Sequence, residues 1–456
     1  MHRPALAILT VALLAATTIT TQVPAPAARA ATVPDSVVAS YFADWDTYSR
    51  GYNVVDIPAD KLNVLIYAFG MPEIDTSTGA VGCDSYDHWA DWQSPNMPDL
   101  GPNAAIDARN IGGHFEQLLK LKAENPELRV LISLGGWSLS DGFSQAASTA
   151  AKRQAFVSSC LDMFIKGNLP VEWPGAYGGQ GVAAGLFDGI DVDWEYPGQA
   201  GGPGVTWATG DKHNYTLLMQ EFRNQLDALS TANGTNYLLT GAVAAAKDRI
   251  DAAYEVPQIA ALMDLIFVMS YDFHGPFDPI QKTDQNSPFK YDPQSPMADS
   301  TLSTKAAINY WLAKGAPDWK LVLGIPFFGR QYAGVPATNN GLYQPFDNTG
   351  FGTDPNEIAW DKTLTPSYHD LVDVAQIVTP SEQGQNGYLR DWNYASDNPW
   401  LYNPTTKRFI SYDDPGSIEE KTDWAMEKDL RGVFSWKISD DSNAHELLDA
   451  MSPMLP

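Results

Sequence analysis

Short runs of apolar and β-branched residues recur along the chain, and each is followed by a stretch with amphipathic helical periodicity. The runs predict strands at Val37–Trp45, Lys61–Phe69, Arg129–Trp137, Gly185–Glu195, Tyr237–Ala245, Leu265–Tyr271, Lys320–Phe328 and Arg431–Trp436. Helices are predicted at Gly113–Glu124, Ala151–Lys166, His213–Ser230, Thr301–Lys314 and Ile418–Leu430, the third with Asp211 as its N-cap.

Strands that alternate with helices form a parallel sheet, and eight strands close a (β/α)8 TIM barrel. The alternative is an open eight-stranded sheet, but no glycine-rich nucleotide-binding turn follows the first strand. We therefore predict an α/β fold that is a single TIM barrel, which accommodates most of the 456 residues as one domain.

One interval departs from this alternation of strands and helices. Residues 331–412 are rich in Gly, Pro, Asn and aromatic residues, and no long helix is predicted before Ser417. A loop of this length without structure is uncommon in a compact domain, so we predict a small inserted α+β domain after the seventh strand. Its aromatic residues form either its own core or a wall beside a cleft: Tyr343, Phe346, Trp360, Tyr388, Trp392, Trp400 and Tyr402.

Residues 1–30 have the features of a signal peptide. Arg3 makes the start basic, Leu6 to Ala16 is apolar, and Ala28-Arg29-Ala30 fits a cleavage site. An apolar run of about a dozen residues is short for a membrane span, which favours export over an uncleaved anchor. We expect a secreted protein whose mature chain begins at Ala31, and no other stretch has the pattern of a transmembrane helix.

The composition is strongly acidic, with 29 basic and 55 acidic residues and a net charge of −26. Loss of Arg3 and Arg29 with the signal peptide changes the charge to −28. This charge repels nucleic acid and anionic membranes, so neither is an expected partner of the mature chain. It suits a neutral or cationic substrate, although it can equally serve only to keep the protein soluble outside the cell. We expect a monomer.

The two cysteines, Cys83 and Cys160, are too few for a zinc cluster. Export makes a disulfide between them chemically feasible. Cys160 lies in a helical pattern, where it can equally be a small buried apolar residue. The sequence leaves the bridge open, and the free buried thiol is the preferred interpretation.

The fourth predicted strand is crowded with carboxylates in the sequence FDGIDVDWE, residues 187–195. Strands are normally poor in Asp and Glu. Strand side chains alternate, so Asp191, Asp193 and Glu195 share the face towards the barrel interior, with about 6.6 Å between successive members. Glu195 lies at the C-terminal rim, where barrel enzymes place their chemistry. Asp188 has the opposite parity and should support the strand.

Ionising all of the carboxyl groups on this face has a high free-energy cost, because mutual repulsion and burial raise their pKa values. One acid then stays protonated near neutral pH while another stays ionised, as general acid catalysis requires. Glu195 is the candidate acid because it is nearest to the cleft. We expect Asp193 to share a proton with Asp191.

A metal site or a set of buried salt bridges would also place several carboxylates on one strand. A metal site would need further ligands, but the sequence has no H-E-x-x-H motif and its seven histidines are not clustered. Buried salt bridges would need basic partners, and only Lys247, Arg330 and Lys437 lie near predicted strand ends. We expect no metal and no cofactor.

The acidic strand, Asp188-Gly-Ile-Asp191-Val-Asp193-Trp-Glu195, resembles the D-x-x-D-x-D-x-E signature of glycoside hydrolase family 18, the chitinases. Further segments resemble that family's motifs in order along the chain: Ser133-Leu-Gly135-Gly136-Trp137, Met269-Ser-Tyr271-Asp272, Gly324-Ile-Pro-Phe-Phe-Gly329-Arg330, Ser411-Tyr-Asp-Asp-Pro-Gly-Ser417 and Gly432-Val-Phe-Ser-Trp436. The interval 331–412 is similar to the chitinase insertion domain of deep-cleft bacterial members.

The resemblance implies a retaining mechanism in which the substrate's own 2-acetamido group acts as nucleophile. Glu195 would be the acid and base, Asp193 would bind the acetamido N–H, and Asp191 would tune Asp193. Tyr271 would donate to the acetamido carbonyl, unless it is a core tyrosine. Asp272 and Arg330 would contact the sugar, and a salt bridge between them would not exclude that role.

Aromatic residues at predicted strand ends are candidate platforms for sugar rings. Trp436 and Trp137 could each form the floor under an N-acetylglucosamine ring, or simply pack in the core. Further substrate-binding candidates, each of which could equally line the barrel, are Tyr41, Phe69, Gly136, Tyr196, Met269 and Phe277.

We therefore expect a secreted endo-chitinase that acts on chitin or chito-oligosaccharides. One rival is an endo-β-N-acetylglucosaminidase acting on glycoproteins, which would use the same Asp193 and Glu195. The other is a chitin-binding lectin, and the presence of Glu195 argues against it.

Overall fold

The computed structural model describes residues 33–348, 364–379 and 381–456. The predicted signal peptide and Trp360 lie outside these ranges. The strands are β1 Val37–Ala43, β2 Val64–Ile74, β3 Val81–Ser85, β4 Arg129–Gly135, β5 Gly189–Asp193, β6 Leu238–Ala244, β7 Leu265–Met269, β8 Leu321–Pro326, β9 Arg330–Tyr332, β10 Leu389–Asn393, β11 Asn398–Asn403, β12 Arg408–Ser411 and β13 Gly432–Trp436.

Eight of these strands form a closed parallel barrel. Its order is β1, β2, β4, β5, β6, β7, β8 and β13, and β13 pairs back onto β1. Because the sheet closes on itself, the predicted TIM barrel is confirmed. The alternative of an open eight-stranded sheet is wrong. Each predicted barrel strand is present, with the observed strands shorter than predicted at most ends.

The α-helices are α1 Asp46–Ser49, α2 Ala104–Asp107, α3 Gly113–Glu124, α4 Phe143–Ala147, α5 Ala150–Cys160, α6 Asp211–Asn233, α7 Lys247–Ala253, α8 Val256–Leu262, α9 Thr304–Ala313, α10 Pro415–Glu427 and α11 Glu446–Met451. The prediction for the start of α6 was wrong by one residue. Gly210 is the N-cap and Asp211 is the first helical residue. The Asp211 carboxylate accepts a hydrogen bond from the Ala208 N–H instead, at 2.6 Å.

Apolar side chains are buried on both sides of the barrel wall. Tyr41, Phe267 and Phe434 belong to a cluster inside the barrel. Val192 and Trp194 belong to the larger cluster between the strands and the helices. This confirms the predicted parity of β5, whose apolar residues face the helices and leave its carboxylates for the interior.

A second, four-stranded antiparallel sheet has the order β10-β11-β12-β9. Part of its aromatic content is its own core, since Phe346, Trp400 and Tyr402 are buried against Tyr332 and Phe409. The sheet runs from Arg330 to Ser411 and so coincides with the interval in which an inserted α+β domain is predicted.

A disulfide links Cys83 on β3 to Cys160 at the end of α5. The preferred interpretation of Cys160 as a free buried thiol was therefore wrong. The sequence did not predict β3, which extends the barrel sheet by pairing antiparallel to the end of β2. Without β3, nothing in the sequence brings Cys83 next to the helix.

Across residues 33–348, 364–379 and 381–456, no helix is both long enough and apolar enough to cross a bilayer.

We predict that Cys83→Ser and Cys160→Ser, separately or together, lower the free energy of unfolding by about 2–4 kcal/mol. The bridge closes a loop with a sequence separation of 77 residues, which restricts the unfolded chain. Denaturant unfolding measures the change, and wild type unfolded under reducing conditions is the control. Equal stability of variant and oxidised wild type would contradict the prediction.

Candidate active site

The register of the barrel sets the acidic face of β5 opposite polar side chains. In the parallel pairing, Asp191 lies beside Ser133 of β4 and Thr240 of β6, and Asp193 lies beside Gly135. Glu195 follows two residues after Asp193, just past the C-terminal end of the strand. The three carboxylates therefore rise from the barrel interior towards its mouth.

Asp188 lies at the other end of the strand, as its parity predicts. Its carboxylate accepts hydrogen bonds from the Val130 N–H and from the Lys122 ammonium, both at 2.8 Å. The expectation that Asp188 supports the strand is confirmed.

Asp191 is fully buried and accepts hydrogen bonds from three hydroxyl groups. The donors are Tyr41 at 2.9 Å, Ser133 at 2.7 Å and Thr240 at 2.6 Å. Burial raises the pKa of Asp191, and the three donors counteract part of that increase by stabilising its charge. Three strands thus fix the carboxylate at the bottom of the site.

Asp193 has a different environment, although it is only two residues away. Its Oδ1 is buried and has no hydrogen-bond partner among the described residues. Burial raises the pKa of Asp193 well above the usual range, followed by repulsion from Glu195 and then from Asp191. The expected proton sharing with Asp191 has no hydrogen bond to support it here, because the Asp191 oxygens are occupied by the hydroxyl donors.

Glu195 lies at the mouth of the barrel and retains 9% of its accessible surface. Burial raises the pKa of Glu195 to about 7. The neighbouring Tyr196 hydroxyl and Arg249 both oppose that increase in the pKa of Glu195, whereas the charge of Asp272 adds to it. The Arg249 guanidinium is 4.7 Å from the centroid of the Tyr196 ring. Tyr196 is thus a partner of the acid as well as a candidate sugar contact.

Ser140 fixes the backbone from which Glu195 projects. Its hydroxyl accepts from the Glu195 N–H at 3.0 Å and donates to the carbonyls of Gly136 and Asp193. Gly136 is required at its position because its φ is +83° and a Cβ would lie 2.7 Å from the Phe69 ring. The motif glycine is therefore explained by backbone geometry.

Tyr271, Asp272 and Arg330 lie on the side of the mouth formed by the residues after β7 and β8. Tyr271 is close enough for the charges of Asp193 and Asp272 to raise its pKa, after burial as the main cause. The Arg330 Nε donates to Asp272 Oδ1 at 2.9 Å. The salt bridge foreseen between these two residues is present.

A cluster of aromatic rings, against which Tyr271 also packs, forms the floor of the mouth. Trp436 stacks on Phe69 with 5.7 Å between ring centroids and an interplanar angle of 17°. Trp436 also contacts Tyr41 at 5.2 Å and Trp45 at 6.4 Å. Tyr41 is buried and its hydroxyl is used by Asp191, so it supports the floor from below.

Two other aromatic candidates are widely exposed. Trp137 exposes 48% and Phe277 exposes 58% of its surface. Trp137 comes two residues after the end of β4, and Phe277 lies on the long segment after β7. Met269, the last residue of β7, is half-buried and packs against the interior cluster.

Among the described residues, no basic side chain forms a salt bridge with Asp191 or Asp193. Lys247 pairs with Asp251 and Lys437 pairs with Asp46, so neither predicted salt-bridge partner contacts Asp191 or Asp193. Within the described residues, no three His, Cys, Asp or Glu side chains are grouped so that they could hold a metal ion. The described residues of the site thus bring carboxyl groups together with polar side chains and aromatic rings.

Sequence reasoning missed several residues of the site. Thr240, Ser140, Arg249 and Trp45 carried no motif that distinguished them from ordinary barrel residues. Thr240 could have been found from register, because a residue of the next strand at the level of Asp191 is a natural donor. Ser140 lies in the loop after β4 and Arg249 lies on the short helix α7 after β6, and the sequence does not reveal how these segments pack around Glu195.

A family model described as glycosyl hydrolases family 18 matches residues 37–441. The chain is 34% identical over 429 residues to chitinase A1 of Niallia circulans, covering 89% of this chain and 56% of that protein. It is 30% identical over 455 residues to chitinase A of Pseudoalteromonas piscicida, covering 92% of this chain and 52% of that protein. The chain thus spans about half the length of these curated relatives.

A solved structure of the catalytic domain of psychrophilic chitinase B from Arthrobacter TAD20 superposes with a TM-score of 0.77. The two chains are 33% identical, and the match covers 93% of this chain and 96% of that one. Chitinase ChiA74 from Bacillus thuringiensis matches with a TM-score of 0.78 and 30% identity, over 92% of this chain and 70% of that one.

We predict that Tyr196→Phe raises the pKa of Glu195 above about 7, because the substitution removes the hydroxyl that stabilises the carboxylate. An infrared titration of the protonated carboxyl band measures this, with Glu195 identified by its absence in Glu195→Gln. Tyr310→Phe, which removes a hydroxyl bound to Asp251 and not to Glu195, is the matched control and should leave the titration unchanged. A lowered or unchanged pKa in Tyr196→Phe would contradict the assignment.

Proposed function

Since the chain belongs to glycosyl hydrolases family 18, we propose that it is a secreted endo-chitinase that hydrolyses the β-1,4 linkages of N-acetylglucosamine polymers. The names of its relatives support the substrate. The observation that carries the proposal is the pair Asp193 and Glu195 on one buried strand face, with Glu195 at the mouth and its pKa raised to about 7.

Glu195 supplies the proton in the first step. At neutral pH a substantial fraction of its carboxyl group is protonated, so it can donate to the glycosidic oxygen as the bond from that oxygen to C1 breaks. The carbonyl oxygen of the substrate's 2-acetamido group attacks C1 from the opposite face and forms an oxazolinium ion. No carboxylate of the protein forms a bond to the sugar.

The second step reverses the role of Glu195. As a carboxylate, it takes a proton from a water molecule whose oxygen attacks C1, and the oxazolinium ring opens. C1 is displaced twice, so the product keeps the β configuration of the substrate. The proton returns to Glu195, which restores the starting state.

Asp193 assists by accepting a hydrogen bond from the acetamido N–H. Its unpartnered Oδ1 is available for that contact once a substrate enters. Asp193 also stabilises the positive charge of the oxazolinium ion, and Asp191, fixed by three hydroxyl donors, tunes Asp193 from below. Tyr271 donates to the acetamido oxygen and orients it towards C1.

The walls of the site suit a neutral polysaccharide. Trp436 and Trp137 are platforms for the apolar faces of sugar rings, and Phe277 extends the aromatic surface. Asp272 and Arg330 offer charged partners to sugar hydroxyl and acetamido groups at the rim. The antiparallel sheet in the interval 331–412 acts as the insertion domain, which deepens the groove for a long linear chain.

The remaining features follow from the sequence. Residues 1–30 direct export, the mature chain acts as a monomer, and catalysis needs no metal or cofactor. The groove favours linear chitin or chito-oligosaccharides over the branched glycans of glycoproteins, and the intact acid favours catalysis over lectin-like binding.

We predict that Glu195→Gln reduces the rate of oligosaccharide release from colloidal chitin by about 10²–10⁴-fold, because the acid–base group is lost. Binding of the N-acetylglucosamine hexamer should persist, since the amide keeps the shape of the side chain. Chromatography of released sugars and hexamer titration measure both effects. Equal release by the two proteins would overturn the role of Glu195, and binding without release by the wild type would establish the lectin alternative.

The pH dependence of the rate should reflect the proton on Glu195. Because its carboxyl group must be protonated for bond cleavage, kcat on the hexamer should fall as pH rises through about 7, by about tenfold per unit well above it. Steady-state kinetics between pH 5 and 9 test this. A kcat that stays constant up to pH 9 would contradict the assignment of Glu195 as acid.

A further inference from the structure

His274 lies buried in the long segment that connects β7 to α9, only three residues before the exposed Phe277. Each of its ring nitrogens faces a different carboxylate. Nδ1 is 3.3 Å from Asp278 Oδ2, and Nε2 is 3.8 Å from Asp284 Oδ2. His274 thus forms a bridge between two acidic residues that are themselves buried.

On one side of this bridge, Asp278 closes the turn that carries Phe277. Its backbone N–H donates to the Gly275 carbonyl at 2.9 Å, and its Oδ2 accepts from the Gly275 N–H at 3.4 Å. The Phe277 ring lies against the backbone of Gly275, where a Cβ would be 2.3 Å from the ring. The Arg330 guanidinium is 5.3 Å from the ring centroid.

On the other side, Asp284 belongs to a segment that is hydrogen-bonded to residues near the antiparallel sheet. Ser295 donates to its Oδ2 at 2.6 Å and the Gln285 N–H donates to its Oδ1 at 2.8 Å. The preceding residue, Thr283, donates its backbone N–H to the Gln344 carbonyl and its hydroxyl to the Gly341 carbonyl. His274 therefore connects a solvent-facing turn to a well-anchored segment.

We propose that His274 is a positioning residue for substrate binding: by bridging Asp278 and Asp284, it holds the turn that presents the Phe277 ring to the oligosaccharide. This inference rests on the proposed function, since Phe277 matters only if a sugar chain lies across it. His274 itself touches no substrate.

The bridge requires a charged imidazole, because the 3.8 Å contact of Nε2 with Asp284 is too long for a hydrogen bond and attracts only as an ion pair. Burial lowers the pKa of His274, but the hydrogen bond to Asp278 and the charges of Asp284, Asp278 and Asp299 raise it above its ordinary value. The bridge is therefore complete at acidic pH and is lost as pH rises through the raised pKa of His274.

The test measures hexamer affinity by titration in the Glu195→Gln protein, which binds without cleaving and in which Glu195 no longer titrates. His274→Gln, Phe277→Ala and Asp278→Asn should each weaken binding about threefold to tenfold. The combination of His274→Gln with Phe277→Ala should be no weaker than Phe277→Ala alone. His88→Gln is the matched control, because His88 also lies between two carboxylates, Asp84 and Glu172, and it should bind normally.

Two further readouts separate positioning from a general loss of structure. Between pH 6 and 9, affinity should fall with rising pH in the Glu195→Gln protein and show no such fall once His274→Gln is added. Hydrogen exchange of the amides in residues 275–281 should be faster in His274→Gln and unchanged in His88→Gln. The pH series uses native His274, so it remains informative if the substitution prevents folding.

The possible failures are distinguishable. If the Glu195→Gln protein binds no hexamer, the proposed function is wrong, and hydrogen exchange still reports whether His274 holds the turn. If hexamer binds normally with His274→Gln, without a change in pH dependence or exchange, the positioning role is overturned. Additive losses in the combined variant would also overturn it, because His274 would then act independently of Phe277.

Discussion

The site depends on one electrostatic constraint, which is that three carboxylates share one face of a single strand inside a barrel. Water cannot screen them there, so each must be protonated or be stabilised by donors. Burial raises the pKa of all three carboxyl groups, but hydroxyl donors from β1, β4 and β6 oppose the rise at Asp191. Tyr196 and Arg249 oppose it at Glu195, and among the described residues no donor opposes it at Asp193. Because the three carboxyl groups have different hydrogen-bond donors, chemically similar residues are suited to different proposed roles.

The other residues at the mouth of the barrel support the different environments of the three carboxyl groups. Tyr196 and Arg249 limit the rise in the pKa of Glu195, which keeps the acid able to gain and release a proton near neutral pH. Ser140 fixes the backbone of Glu195, so the proposed proton transfer would start from a defined position. In the proposed function, the stacked rings of Trp436 and Phe69 are the surface on which a sugar is held against Glu195.

The barrel and the parity of β5 could be predicted because both follow from local patterns, namely alternating elements and alternating side chains. The motif residues around Glu195 could be recognised for the same reason. Register and loop paths could not be predicted, because they depend on contacts between distant segments. Thus the Thr240 donor, the His274 bridge and the link from Cys83 to Cys160 are visible only in the folded chain. Tyr41 shows the limit well: its strand was predicted and lining the barrel was one of its two possible roles, but its hydrogen bond to Asp191 was not predicted.

The most direct test of the central claim is the configuration of the sugar released from the N-acetylglucosamine hexamer, followed by proton NMR immediately after mixing. If Glu195 is the sole acid and base and the substrate's acetamido group is the nucleophile, the first product carries the β-anomer at its new reducing end. The α-anomer appears only later, by mutarotation. Initial release of the α-anomer would require a single displacement by water and would contradict the roles assigned to Asp193 and Glu195.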